Sequence, residues 1–252
     1  MGILTHGARG LNIALPLTMD IVYLVKDCDQ NEELIYSLRS LRNLPHDKVF
    51  VVGGFPHGLN PEKIYHIPTE QGQNKYKNTA NSLNIISKTK DVSDGFILMN
   101  DDFFIMSKIK SPISELNLYK GYLEDILAEY EKRPVHNIVY YNALCDIYSF
   151  LLHLGFNDPK CYELHIPMIM NKSNLQNMFS LRGINGFNAL LFRTLYGNLF
   201  AAGSRYSKDV KLSAATPMLS DNPNFLSTSD GYFAKIKPFI NNIFNEKSEY
   251  EL

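Results

Sequence analysis

The chain has 252 residues, with 25 Lys and Arg against 26 Asp and Glu, and a formal charge of −1. That balance leaves no electrostatic footprint for nucleic acid or an anionic membrane, and 45% hydrophobic residues are enough for one large α/β domain. Cys28, Cys145 and Cys161 are odd in number and form no Cys-x-x-Cys pair, which argues against a disulfide framework or structural zinc and fits a reducing cytoplasm.

In chain order, residues 1–18 hold one arginine, no acid and a weak apolar patch around Leu11–Leu17. They are expected to be an appendage, with Met19 an alternative start, because a signal peptide needs a longer apolar centre. No apolar run approaches the roughly 18 residues of a membrane span. Asp20–Val25 reads as a strand rich in β-branched and aromatic residues. Asp29, with Glu32 three residues on, resembles a capping box. Leu34, Leu38 and Leu41 then recur at helical spacing, predicting a helix over 30–43. Lys48–Val52 is the second strand, ended by Gly53-Gly54, and the right-handed crossover makes the two strands parallel. A turn-rich loop follows over 53–63, then a short strand, Ile64–Ile67. A helix is expected over 76–89, with Ala80, Leu83 and Ile86 inward. Phe96–Met99 has the length of a buried strand. This β-α-β-β-α-β order implies a mostly parallel, doubly wound sheet.

The second half reads as more helical, with helices over 118–132, 142–154, 173–180 and 187–200 and a break at Arg133-Pro134. Cys161–Met168 is predicted as a strand running into Pro167. Ser227–Ser229 are expected to cap a last helix kinked by Pro238. Residues 19–245 form a single domain on this reading, and the acidic segment 246–252 is expected to fray.

The chemistry gathers at Asn100-Asp101-Asp102, directly after the Phe96–Met99 strand. Three polar residues are costly inside a core unless paired or bound to metal. The carboxyl end of a central strand is where open α/β sheets place ligands. Two carboxylates there can hold Mg²⁺ or Mn²⁺, which in turn holds a diphosphate, an arrangement suited to nucleotide-diphosphate sugars. The plainer reading is an acidic strand-to-loop turn. His165 stands at another expected strand end, as a metal ligand, a general acid/base, or a hydrogen-bonded structural residue. Arg182 and Arg193 are cations able to neutralise a diphosphate bidentately, or simply solvated. Lys75 and Asn78 sit with Lys77 at a loop–helix junction that favours anions. Asp27 and Asp29, after the first strand, can meet a ribose or base, though Asp29 has the competing role of cap.

Several segments together resemble the Stealth family of sugar-phosphate transferases. Asn31–Leu41 followed by Lys48–Val52 resembles its second conserved region, and Gly58-Leu59-Asn60 fits the "WLN" element with Gly58 in place of tryptophan. Phe96–Phe104 (FILMNDDFF) is similar to the "FLYLNDDVFF" element. Glu163–Met168 resembles the third region's "HVPY" element. The first region survives only as Asp20–Asp27, and the fourth has no clear counterpart. The resemblance implies a glycosyltransferase-A-like nucleotide-sugar fold, Asp101 and Asp102 on metal and diphosphate with Asn100 beside them, and His165 in the active site. It also implies an arginine after the histidine, with Arg193 the preferred counterpart and Arg182 the alternative.

The expected activity is transfer of a sugar from a nucleotide-diphosphate donor to a glycan, lipid-linked or protein acceptor, with Mn²⁺ or Mg²⁺. Its alternatives are sugar-1-phosphate transfer, a non-catalytic glycan- or nucleotide-binding module, and sugar transfer onto modified DNA.

Overall fold

The structure, a computed structural model, describes residues 18–110, 115–133, 137–206, 208–214, 224–229 and 231–252. The expectations for 1–17 and for the break at Pro134 fall outside them. The chain first alternates: β1 (Asp20–Val25), α1 (Glu32–Ser40, continued by a 3-10 turn over Leu41–Asn43), β2 (Val49–Gly53), β3 (Ile64–Ile67), α2 (Lys75–Lys88) and β4 (Gly95–Asn100). Short pieces follow: β5 (Phe103–Ile105), β6 (Leu118–Tyr119), β7 (Gly121–Tyr122), α3 (Leu123–Glu131), α4 (Ile138–His153) and β8 (Lys160–Cys161). Last come β9 (Met168–Asn171), α5 (Lys172–Phe179), α6 (Phe192–Phe200), β10 (Ser204–Arg205), β11 (Lys211–Leu212), β12 (Phe225–Thr228) and α7 (Phe233–Ile243).

The main sheet has the order β3-β2-β1-β4-β9, with β1 to β4 parallel and β9 antiparallel at the edge. The α/β class and the mostly parallel sheet expected from the β-α-β-β-α-β pattern are present. Successive strand residues face opposite ways. Val22, Phe50, Phe96 and Leu98 pack with Leu83 and Ile86 of α2. Their neighbours Ile21, Tyr23, Val51 and Ile97 pack with Leu34 and Leu38 of α1. The two helices thus cover opposite faces, and strands buried on both sides read as unbroken apolar runs.

Gly53 and Gly54 are required where β2 ends against β1. Gly53 has φ of +108°, and a Cβ on it would lie 2.3 Å from the Val25 carbonyl oxygen. A Cβ on Gly54 would lie 2.7 Å from the Lys26 carbonyl oxygen. β1 is followed in sequence by β2 on one side and flanked by β4 on the other, so the strand order reverses between β1 and β4. In open α/β sheets that reversal opens a crevice at the carboxyl ends.

Several expectations are corrected, and the helix expected over 118–132 begins only at Leu123, after two short strands. The cap of α1 is Asn31 rather than Asp29: its side-chain oxygen accepts from Leu34 N at 3.0 Å. Only Lys160–Cys161 and Met168–Asn171 of the region around Cys161–Met168 are strand. Pro167 has no N–H to give a ladder, so β9 begins after the proline rather than ending there. Ser227 and Thr228 do not cap a helix. They lie in β12, which pairs antiparallel with β5 and parallel with β11, while Pro238 stays inside α7. This small sheet shares a second core with α1 and α7, built on Tyr36, Phe104, Leu226, Phe233 and Phe244.

Residues 246–252, expected to fray, are docked. Tyr250 is buried and its hydroxyl shares a 2.7 Å hydrogen bond with His46 Nε2. Leu252 N donates to the Gly58 carbonyl at 2.9 Å. Glu251 receives Nε and Nη2 of Arg39 at 2.9 and 2.7 Å. The bidentate guanidinium–carboxylate pair, only slightly exposed, acts with the burial of Tyr250 and the backbone bonds to hold the seven-residue end.

Candidate active site

β4 and β5 are separated only by Asp101 and Asp102, so the chain passes from the main sheet to the small sheet within two residues. Helix α1 braces that step. Ser37 Oγ donates to the Phe103 carbonyl, and Ser40 Oγ accepts from Ile105 N at 3.0 Å. Tyr23 OH completes the chain of bonds to Ser37 at 3.0 Å. These serines stand in for a neighbouring strand, since buried backbone groups must be paired.

The two carboxylates are then held by different elements. Asn31 uses its amide twice, capping α1 with its oxygen and donating Nδ2 to Asp101 Oδ2 at 2.6 Å. Asp102 Oδ2 accepts from Ser227 Oγ of β12 at 2.8 Å and lies 3.7 Å from Lys211 Nζ of β11. Its side chain is only 14% exposed.

His165 lies three residues before β9. Because β9 is antiparallel, its start meets the carboxyl end of β4, with Leu98 opposite Met168. The histidine therefore reaches the expected edge of the sheet by a different route. Its Nδ1 is 2.7 Å from Asp209 Oδ2, and its backbone N donates to Asp209 Oδ1 at 3.2 Å. The imidazole meets the ring of Phe103 edge-on at 6.4 Å. Over that same ring, at 5.2 Å, lies the guanidinium of Arg193. Phe103 directly follows Asp102, so one aromatic side chain gathers the histidine and the arginine beside the acidic turn.

Arg193 is buried in the first turn of α6. Its Nη1 donates to the Ile166 carbonyl at 2.9 Å, while Nη2 is buried without a hydrogen-bond partner among the described residues. A buried unpaired donor costs about 1–3 kcal/mol. Burial lowers the arginine's pKa, and the negative charges of Glu163, Asp102 and Asp209 work against that shift. Glu163 also accepts from Thr194 N at 3.0 Å, serving the open amino end of α6. Burial raises its pKa, opposed by Arg193 and the Thr194 bonds. Asp209 goes the other way: burial pushes its carboxyl up, but the hydrogen bonds from His165 prevail and hold it below the usual range.

The structure thus brings Asp101, Asp102, His165 and Arg193 to one side of the sheet. Asn100, the last residue of β4, stands opposite Leu24 of β1, and Asp27 lies exposed just past the end of β1. Gln71 joins that end, accepting from Asp27 N at 3.0 Å and donating to the Val25 carbonyl at 2.8 Å. The remaining candidates lie elsewhere or are already engaged. Lys75 is exposed over the Tyr76 ring at 5.3 Å and lines a separate cleft of about 460 Å³ with Gln73, Asn137 and Asn188. Asn78 spends both ends of its amide on Gly72, at 2.9 and 2.8 Å, and so folds the 69–74 loop instead of meeting a ligand. Arg182 is exposed in the turn after α5, with no hydrogen bond or ion pair to the group among the described residues. Sequence reasoning missed Asn31, Glu163, Asp209, Lys211 and Ser227 as members. Asn31 carried a signal, standing directly before the helix, and Glu163 opened the Glu163–Met168 segment.

Among the described residues, no group of three His, Cys, Asp or Glu side chains is placed to hold a metal ion. Among these residues His165 is not grouped with Asp101 and Asp102 for a metal ion, and its Nδ1 is held by Asp209. Asp101 and Asp102 offer one or two carboxylates, the protein share with which Mg²⁺ is held when substrate phosphates and water complete its shell. The donor set fits a cation that arrives with a diphosphate rather than a preformed cage. No protein-family model matches the chain, and no curated protein matches it. Among the described residues, no helix is long and apolar enough to cross a membrane.

Proposed function

We propose that the protein is a nucleotide-sugar-dependent transferase of glycosyltransferase-A-like type, moving a sugar from a nucleoside diphosphate to a hydroxyl acceptor. The carrying observation is Arg193, a buried guanidinium beside the Asp101–Asp102 turn whose Nη2 has no hydrogen-bond partner among the described residues. A cation held there at a cost of desolvation is matched to an anion that comes and goes, and guanidinium suits phosphate. The crevice at the β1–β4 reversal and the Stealth-like segments at Asn31–Val52, Phe96–Phe104 and Glu163–Met168 support the same class.

In this reading Asp101 and Asp102 would hold Mg²⁺ or Mn²⁺, which would supply charge neutralisation for the departing phosphate. Arg193 binds a phosphate oxygen from the buried side. Asp27 and Asn100, at the ends of β1 and β4, border the nucleotide. His165 receives the acceptor's proton. Attack at the anomeric carbon releases a nucleoside diphosphate; attack at the β-phosphorus transfers sugar-1-phosphate and releases the monophosphate.

The test is product analysis with a panel of uridine- and guanosine-diphosphate sugars plus Mn²⁺. Diphosphate release, lost in folded Asp102→Asn, is expected. Monophosphate as the product reassigns the chain to sugar-phosphate transfer. Absence of any Mn²⁺-dependent thermal shift or turnover across the panel overturns the class.

A further inference from the structure

We infer that Asp209 is the positioning residue of His165, and that it leaves Nε2 as the nitrogen that takes the acceptor's proton. This rests on the transferase reading for its chemistry, but the geometry stands apart from it. Both oxygens of one carboxylate are committed to one histidine: Oδ2 meets the ring at Nδ1, 2.7 Å away, and Oδ1 accepts the backbone N of the same residue at 3.2 Å. The next backbone amide, Val210 N, also donates to Oδ1 at 2.8 Å. Holding the main chain and the ring together fixes the imidazole's position as well as its tilt, and Phe103 closes one side of it edge-on. The hydrogen bonds from the ring and backbone of His165, with the positive charge of Lys120, favour the ionised form of Asp209.

An ionised carboxylate only accepts, so Nδ1 must carry the hydrogen. The neutral ring then has its lone pair on Nε2, and the tautomer is set by the partner of the other nitrogen. Nε2 makes no hydrogen bond to a described residue, and the side chain is 35% exposed, so an acceptor can reach it. Asp209 lies 44 residues along the chain from His165, in a different segment.

The step balances. The acceptor's O–H bond breaks and its proton passes to Nε2. The acceptor oxygen bonds to the donor's electrophilic centre while the bond from that centre to the bridging phosphate oxygen breaks. The nucleotide leaves with that electron pair. The imidazolium keeps Nδ1–H on Asp209, whose carboxylate stays ionised.

The experiment is ¹⁵N NMR of the full chain labelled at histidine, at about pH 9, with the His165 signals assigned by their loss in His165→Gln. Nδ1 protonated and Nε2 bare is expected in the wild type. Nε2 protonated overturns the inference, and this reading needs no Asp209 variant to fold. Asp209→Asn is expected to mix the two tautomers and to lower kcat about 100-fold or more, with KM for the donor changed less than about 3-fold, since loss of the orienting carboxylate in a related triad acts on kcat. Unchanged kcat in a folded Asp209→Asn also overturns it. If the wild type turns over no nucleotide sugar, the proposed class fails while the tautomer reading still decides the role of Asp209.

Discussion

The two halves of the chain differ in how they bury themselves. Up to Asn100, strands of four to six residues run side by side with a helix on each face, and the polar residues at their ends form one side of the crevice. Beyond Phe103 the strands shrink to two to four residues, yet this half supplies His165, Arg193, Asp209, Lys211 and Ser227. The contrast teaches a division of labour: a regular scaffold fixes where the crevice lies, and irregular connections bring the polar groups to it.

The sharpest way to break the comparison is in the cores. Leu98→Ala, in the fully buried centre of β4, is expected to cost about 3–5 kcal/mol, and Leu212→Ala in the small sheet about 2 kcal/mol. Urea unfolding of both variants checks this. Equal losses would mean that the short-strand half carries as much of the stability as the scaffold. Next in size, Arg193→Met should cut turnover about 100-fold while shifting stability by less than about 2 kcal/mol, because it removes an ill-satisfied buried charge along with its ligand contact. A large loss of stability in the same urea series would make Arg193 part of the scaffold.

That division also explains what could be read beforehand. β1, β2 and β4 were legible because burial on both faces leaves uninterrupted apolar runs, and Leu34, Leu38 and Leu41 marked α1. Asp101 and Asp102 stood out because acids at the end of such a run are conspicuous. Asp209 had no comparable mark: it lies on no periodic segment, and its meaning comes only from a partner 44 residues away. Ser227 and Thr228 misled because hydroxyl residues suit both a helix cap and a strand. Their choice of strand was decided by β5, far back in the sequence, where Phe103 stands opposite Ser227. His165 was assigned to the right edge from a strand that is not there, since an antiparallel β9 starts where a parallel strand would end.

Two smaller effects probe the joint between the halves. Asn31→Ala removes a helix cap and a hydrogen bond to Asp101. It is expected to cost about 1–2 kcal/mol in thermal unfolding and to weaken Mn²⁺-dependent donor binding. Unaltered donor binding would separate the helix end from the site. The smallest effect is at Glu251. Burial works against its ionisation, but Arg39 and Ser248 prevail and hold its carboxyl below the usual range. A folded pKa below the unfolded value of about 4.3 means that this contribution is complete above that pH and is lost as pH falls through the folded value. Glu251→Gln should lower Tm by a few degrees at pH 7 and by less at pH 3, for a pair contributing about 1 kcal/mol. The same Tm difference at both pH values would show that the ion pair contributes nothing.

Helix α1 is also a rod of fixed length. From Asn31, which grips Asp101, to Arg39, which grips Glu251, it spans about 12 Å. Whatever tugs at the last seven residues therefore pulls on one end of a lever whose other end rests on the acidic turn. On the proposed transferase reading, a purification tag or fusion partner that unseats Glu251 is expected to alter donor affinity.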